Sequence, residues 1–269
     1  HVIRKLPSRK SPMAHEKYGV ILTYHSVGDD RPPLSISLSQ FAEQMEWLSQ
    51  NAKVIRLADL VNALKSKDTL AENSVALTFD DGYADFFTQA APILRRWGFP
   101  AIVFLPTAYC GRTNSWPGQP GWVPEKPLLT WMQVEELACE EFEFGSHSAT
   151  HPDITQVCDA EAEREITESK REIEIRTGNP AEFFCYPYGR WGSKSRELVS
   201  RHFRAACSTA AAMVQSTADP YALPRVDAYY VRNPALFKRL FTRQLSSYIA
   251  LRRGLRRLRN QPEGHYSRQ

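Results

Sequence analysis

The sequence predicts an α/β fold: one domain built as a (β/α) barrel of seven units. Three observations predict it. Short apolar runs alternate with amphipathic helical patterns, the order expected of βα units and a parallel sheet. Residues able to do chemistry follow the ends of several different runs, and in such barrels active sites gather at the carboxyl ends of the strands. A length of 269 residues suffices for a single domain that buries roughly 75% of its unfolded surface.

The predicted strands are Gly19 to Tyr24, Lys53 to Arg56, Val75 to Phe79, Ala101 to Leu105, Phe142 to Gly145, Phe183 to Tyr186 and Arg204 to Ser208. Between them, Ser39 to Gln50 places Phe41, Met45 and Leu48 on one helical face, and Thr130 with Gln133 reads as a capping box opening a helix that runs to Cys139. Asp159 to Thr177 reads as a charged helix stopped by Gly178. The stretch Ala108 to Pro127, with Trp116 and Trp122, is long for a connection and is expected to wall a site. The resulting organisation is an extension over residues 1–18, the barrel domain over 19–250 and a basic tail over 251–269.

Composition narrows the class. Hydrophobic residues at 42% and charged residues at 24% are ordinary for a globular chain, which argues against disordered and fibrous classes. No apolar run approaches the ~18 residues that cross a bilayer. Five cysteines, Cys110, Cys139, Cys158, Cys185 and Cys207, are widely spaced with no CxxC pair, so all five are expected as small buried hydrophobes rather than a disulfide framework. Residues 1–19 are basic and lack the apolar core of a signal peptide. The expected location is the cytoplasm or the inner face of the membrane, with the cell envelope left open if upstream residues were removed.

Two clusters carry the chemistry. Asp80 and Asp81 follow the apolar run Val75 to Phe79 in Thr78-Phe79-Asp80-Asp81-Gly82, and His147 and His151 stand four apart in His147-Ser148-Ala149-Thr150-His151. Alone, Asp-Asp-Gly suits a turn, and a His-x-x-x-His pair suits a surface. Together they supply two imidazoles and a carboxylate, the ligand number of a catalytic zinc site that keeps a position open for water, with one carboxylate left over as a base. A zincin is excluded because Ser148, not Glu, follows His147. Pro152 disfavours a helix at His151 and puts the two imidazoles on a turn.

These motifs resemble carbohydrate esterase family 4, the NodB-type polysaccharide deacetylases, over about Tyr24 to Asp227. The resemblance implies a distorted seven-stranded (β/α) barrel and a metal-dependent hydrolase that removes N-acetyl groups from N-acetylglucosamine-containing polysaccharide. It implies a divalent ion, zinc foremost, on Asp81, His147 and His151, with Asp80 as base. Tyr186-Pro187-Tyr188-Gly189 resembles the Pro-Tyr motif, which gives the backbone N–H of Tyr188 to an oxyanion. The family's usual arginine before that motif is replaced by Cys185, its Asp-x-x-Asp-Trp motif is absent, and no late histidine fits its acid motif, His202 falling on a predicted helix and His265 in the tail. Tyr24-His25 resembles the permuted acid motif of the poly-N-acetylglucosamine deacetylases, so His25 is the expected general acid, and Arg225 is the expected partner of Asp80. Trp122, Trp131, Trp191, Tyr229 and Tyr230 are sugar-stacking candidates, although aromatics at such positions are more often core. Hydrolysis of another non-peptide C–N bond and a non-catalytic glycan-binding module remain the alternatives.

The net charge of +4 is uneven. From Ala228 to Pro262 nine basic residues and no acid occur, so the remainder is net −5, +4 less 9. The body is therefore acidic and offers no nucleic-acid surface. In the tail, Phe237, Phe241, Leu245, Tyr248, Leu251, Leu255 and Leu258 form one apolar stripe. For Phe237 to Tyr248 the expected reading is a last barrel helix facing the core. For Leu251 to Arg259 a peripheral contact with an anionic membrane surface or glycan stands beside it.

Overall fold

In the computed structural model, which describes residues 19–28, 34–66, 68, 71–140 and 142–259, the apolar runs become parallel strands. They are β1 (Val20–Tyr24), β2 (Ser26–Val27), β3 (Ser35–Ile36), β4 (Lys53–Ile55), β5 (Ser74–Phe79), β6 (Ala101–Leu105), β7 (Phe142–Ser146), β8 (Phe183–Cys185), β9 (Ala205–Ala211) and β10 (Leu223–Asp227). The α-helices are α1 (Leu38–Asn51), α2 (Leu57–Ser66), α3 (Ala91–Trp97), α4 (Trp131–Ala138), α5 (Asp159–Thr177), α6 (Ser193–His202), α7 (Pro234–Phe237) and α8 (Arg243–Arg259). The capping box of Thr130 with Gln133 opens α4, and Gly178 ends α5 in the left-handed conformation.

β1, β10, β9, β8, β7, β6 and β5 pair in that order, and β5 returns to β1 from Val75 to Phe79, closing a barrel of seven parallel staves. The ring is distorted at β5. Because β1 lies along the whole of one edge, β4 and β6 share the other, β4 against residues 74–76 and β6 against 78–79.

The count of seven is right, but one member differs from the sequence reading. The run beginning at Lys53 is the short outer strand β4, and the missing stave is β10, which contains Pro224. Pro cannot donate to a ladder and reads as non-strand. It is accommodated where the register against β9 shifts, Leu223 opposite Cys207 but Arg225 opposite Ala211.

Side-chain alternation along the staves sorts the core. Val20, Leu22 and Tyr24, Val75, Leu77 and Phe79, and Ala101, Val103 and Leu105 share one cluster with Phe41, Met45 and Leu48 of α1. The intervening residues Ile21, Ala76, Ile102, Phe104, Phe183, Cys185, Ala205, Cys207 and Leu223 form a second cluster, with Leu57, Leu60, Val61 and Leu64 of α2. Period two makes the second cluster the barrel interior and α2 the plug at its amino end. Continuing the same alternation toward the carboxyl ends brings His25, Asp80, Thr209, Arg225 and Asp227 onto the inner face. The interior thus passes from apolar at the base to polar at the mouth.

The tail departs from one continuous helix. After α7 the chain takes tight three-residue turns, Leu240 N–H to Phe237 O and Thr242 N–H to Arg239 O, which bury Leu240, a residue off the predicted stripe. Phe237, Leu245 and Ile249 are buried as a final barrel helix requires, whereas Leu251 is 64% exposed. Residues 1–18 and 260–269, and the side chains of 253–259, lie outside the described residues, and with them the proposed extension and most of the Arg-dense tail. Among the described residues no helix is long and apolar enough to cross a membrane.

Candidate active site

Backbone strain marks the site. Among the described residues, five that are not glycine have positive φ, and four of them, Asp81 (67°), Ser148 (63°), His151 (61°) and Tyr188 (58°), lie in the loops that follow β5, β7 and β8. Each is a left-handed conformation that costs free energy and persists where surrounding contacts over-determine it. After β5, Asp81 and Gly82 turn the chain sharply, and a Cβ on Gly82 would meet Leu105 Cδ2 at 2.7 Å.

The histidine loop is held from below. Glu165, buried on α5, accepts the N–H groups of Ala149 (2.8 Å) and Thr150 (2.7 Å) and the Thr150 hydroxyl (2.7 Å). Ser146 Oγ accepts from Ser148 N–H (3.1 Å), and Ser148 Oγ from His151 N–H (3.0 Å). The loop is therefore a turn, as Pro152 suggested. Sequence reading missed Glu165, which looks like any other acid on a charged helix.

Asp81 Oδ1 stands 3.4 Å from Nε2 of both His147 and His151, and all three side chains are buried. Ligands about 2.0–2.1 Å from a tetrahedral ion are roughly 3.3–3.4 Å apart, so the spacing fits a zinc-sized ion. His147 Nδ1 donates to Cys185 O at 2.7 Å, which fixes the tautomer and leaves Nε2 as a lone-pair donor. Burial, above all, holds the His151 ring below its ordinary pKa and favours the neutral ligand form. Burial alone would raise the Asp81 carboxyl, but the two imidazoles outweigh it and keep the group well below its ordinary range. A second set, Asp80, His147 and Cys185, also brings its ligand atoms within 4.8 Å of one another. It fits an ion poorly, because burial raises the Cys185 thiol and the Arg225 guanidinium already contacts both Asp80 and the sulfur.

Asp80 is the extra carboxylate. Arg225 donates Nη1 to its Oδ1 (2.8 Å) and Nη2 to its Oδ2 (2.7 Å), as the sequence reading expected. Arg225 is itself held by Ser208 O (2.9 Å), Thr78 Oγ1 (3.2 Å) and Cys185 Sγ (3.1 Å). Ser208 lies where β9 and β10 slip, and Arg225 Nε takes its carbonyl there. Burial opposes ionisation of Asp80, but the guanidinium prevails and lowers its pKa. His25 Nε2 lies 4.0 Å from Asp80 Oδ2, too far for a hydrogen bond but facing the same space. His202, by contrast, is on α6 and pairs with Glu163 at 2.6 Å.

These groups open into a cavity of about 700 Å³ that also takes in Trp116, Trp122, Tyr188, Tyr229 and Tyr230. Trp116 stacks on His151 (centroids 4.2 Å, 30°), and the Tyr188 ring meets it edge-on at 4.8 Å. The wall expected from Ala108 to Pro127 is present, but the Trp116 contact had no sequence signal beyond a tryptophan in a long loop. Trp131 and Trp191 do not line the cavity: Arg176 covers Trp131 at 5.4 Å, and Trp191 packs 6.4 Å from Tyr186. The cysteine expectation holds only for Cys185 and Cys207. Cys110 is half-buried, while Cys139 and Cys158 are exposed because they sit at the ends of α4 and α5.

Comparison with known proteins agrees with this geometry. The Polysaccharide deacetylase family model matches residues 67–203, which include both motif loops and the Pro-Tyr segment. The poly-beta-1,6-N-acetyl-D-glucosamine N-deacetylase of Escherichia coli O157:H7 is 31% identical over 54% of this chain, a stretch spanning only 22% of that protein. The enzyme of the same name from Staphylococcus aureus strain MSSA476 is 23% identical over 71% of this chain and 67% of its own length. Among solved structures, IcaB from Ammonifex degensii superposes with a TM-score of 0.71 at 20% identity, covering 85% of this chain and 97% of that one. Streptococcus pyogenes deacetylase PplD in complex with acetate gives 0.69 at 22%, covering 78% and 92%. The matched span, together with a seven-stave barrel carrying both motif loops at its mouth, establishes that this chain belongs to the polysaccharide deacetylase family.

Proposed function

We propose that the chain hydrolyses the N-acetyl amide of N-acetylglucosamine units in a polysaccharide, with a divalent ion, zinc by its donor set, held by Asp81, His147 and His151. The observation that carries this reading is the division of labour between two adjacent carboxylates. Asp81 faces the two imidazoles, while Asp80 is turned to Arg225 and kept ionised. A glycan-binding module needs no such division. When bound, the ion would lower the pKa of water toward about 7 and polarise a carbonyl.

Asp80 accepts the proton of the attacking water; Arg225 engages one lone pair of each oxygen and the Cys185 thiol, at 3.6 Å, a second on Oδ2, which leaves Oδ1 the better placed acceptor. The Tyr188 backbone N–H faces the oxyanion, where one placed donor is worth ~3 kcal/mol. His25 gives a proton to the departing amine. The C–N bond breaks, and acetate and a free amine leave, with water divided between them.

The test is acetate release from β-1,6-linked N-acetylglucosamine oligomers, chito-oligosaccharides, an O-acetylated sugar and a cyclic amide, before and after chelation and after zinc is restored. Turnover of an acetamido sugar that disappears on chelation and returns with zinc is expected. Turnover of the cyclic amide alone would move the chain to other C–N bonds. In the same assay His25→Ala should lower the rate ~100-fold or more; wild-type rates would remove His25 as the acid.

A further inference from the structure

The last stave leads into a charged aromatic rim that the proposed chemistry does not use. Asp227 closes β10 and its Oδ1 accepts the Tyr229 N–H at 2.9 Å, starting a 3-10 turn over Ala228–Val231. That turn brings Tyr229 and Tyr230 to the cavity, with ring centroids 5.7 Å apart. Each ring carries a guanidinium: Arg232 lies 4.4 Å from the Tyr229 centroid, and Arg252, reaching over from α8, lies 4.5 Å from that of Tyr230. Arg252 also donates to the Tyr248 hydroxyl at 2.7 Å. Both arginines are exposed, and neither forms an ion pair with a carboxylate among the described residues. Glu43 and Glu46 border a neighbouring groove with Arg232, but no pair with it forms.

Stacking occupies the face of a guanidinium and leaves N–H edges for a ligand, and a stacked guanidinium is held at little further entropic expense. Tyrosine rings present apolar faces to a pyranose while keeping a polar tip. The open cavity that would take the reacting sugar includes Tyr229 and Tyr230, the two rings on which the guanidiniums stand.

We propose that Arg232 and Arg252, mounted on Tyr229 and Tyr230, form a subsite that reads the charge of the sugar next to the one being deacetylated. A carboxylate or phosphate there is favoured, a neutral acetamido sugar is accepted, and a glucosaminium is disfavoured. Resting as it does on the deacetylase reading above, the subsite makes each deacetylation discourage the next one beside it, so that free amines end up spaced along the polymer.

The experiment uses three oligosaccharides with the same acetylated sugar and a neighbour bearing a carboxylate, an acetamido group or a free amine. kcat/KM for acetate release is measured for the wild type and for Arg232→Gln/Arg252→Gln, at low and high salt. The wild type at low salt should rank carboxylate over acetamido over amine, with steps of about threefold to fivefold. The ranking should flatten at about 1 M salt and in the double variant, because exposed charges are screened over about 3 Å there. The acetamido substrate should change little throughout. A ranking absent from the wild type, or one that persists in the double variant and at high salt, overturns the subsite while leaving the deacetylase reading in place. No acetate from any of the three overturns both. The salt series on the wild type decides the matter even if the double variant folds poorly.

Discussion

Arg225 and Asp80 are joined by two hydrogen bonds in the barrel interior, from the last stave to the residue that follows β5, and both side chains are almost wholly buried. Removing one partner of such a pair leaves an uncompensated buried charge, a loss of about 3–5 kcal/mol. Arg225→Met should therefore lower stability by that order in urea denaturation and cut acetate release ~100-fold or more. Arg225→Lys, which keeps the charge but not the fork, should fall between. Wild-type activity in Arg225→Met would show that Asp80 needs no cation.

The loop carrying the two histidines depends on a residue that touches neither ring. Glu165→Ala leaves the Ala149 and Thr150 N–H groups without their acceptor, and loss of such supporting contacts typically weakens metal sites about 10–100-fold. Zinc affinity measured by competition with a chromophoric chelator should fall by that factor. A lowered melting temperature with unchanged affinity would contradict the supporting role.

Away from the site, Arg196 donates to both oxygens of Asp219 (2.6 and 2.8 Å) and, against partial desolvation, holds that carboxyl below its ordinary 3.8. Because the folded value is depressed, the unfolded chain binds this proton first as pH falls. The stabilisation is complete above the unfolded value and is lost as pH drops through the folded one. Both side chains are about one-third exposed, so solvent screening keeps the contribution under about 1 kcal/mol. Asp219→Asn should be less stable than wild type near neutral pH and equal to it below the folded value. A gap that stays constant with pH would assign the effect to packing.

The parts of this molecule legible in the sequence are those where local chemistry and tertiary structure agree. Val75 to Phe79 is apolar on both faces because the strand is covered on both, and Asp80 and Asp81 follow at its carboxyl end. The Thr130 and Gln133 box is purely local and forms as read. β10 was hidden because Pro224 speaks against a strand unless the neighbouring register slips, which only the assembled barrel reveals. β4 looked like a stave because Lys53 to Arg56 has strand propensity, yet β6 takes the rest of the β5 edge. Trp116 on His151 and Glu165 beneath Thr150 depend on loop paths and helix rotation that no spacing encodes. The break at Lys238 to Thr242 replaces one apolar periodicity with a tighter turn that buries Leu240, a choice made by the core.

The separation of roles between two adjacent carboxylates is tested most directly by measuring zinc content and acetate release on the same preparations of Asp80→Asn and Asp81→Asn. Asp80→Asn should keep stoichiometric zinc and lose most of its activity, because it removes the base and leaves the three ligands. Asp81→Asn should lose both. Zinc lost from Asp80→Asn but retained in Asp81→Asn, or acetate release near the wild-type rate in Asp80→Asn, would contradict the assignment.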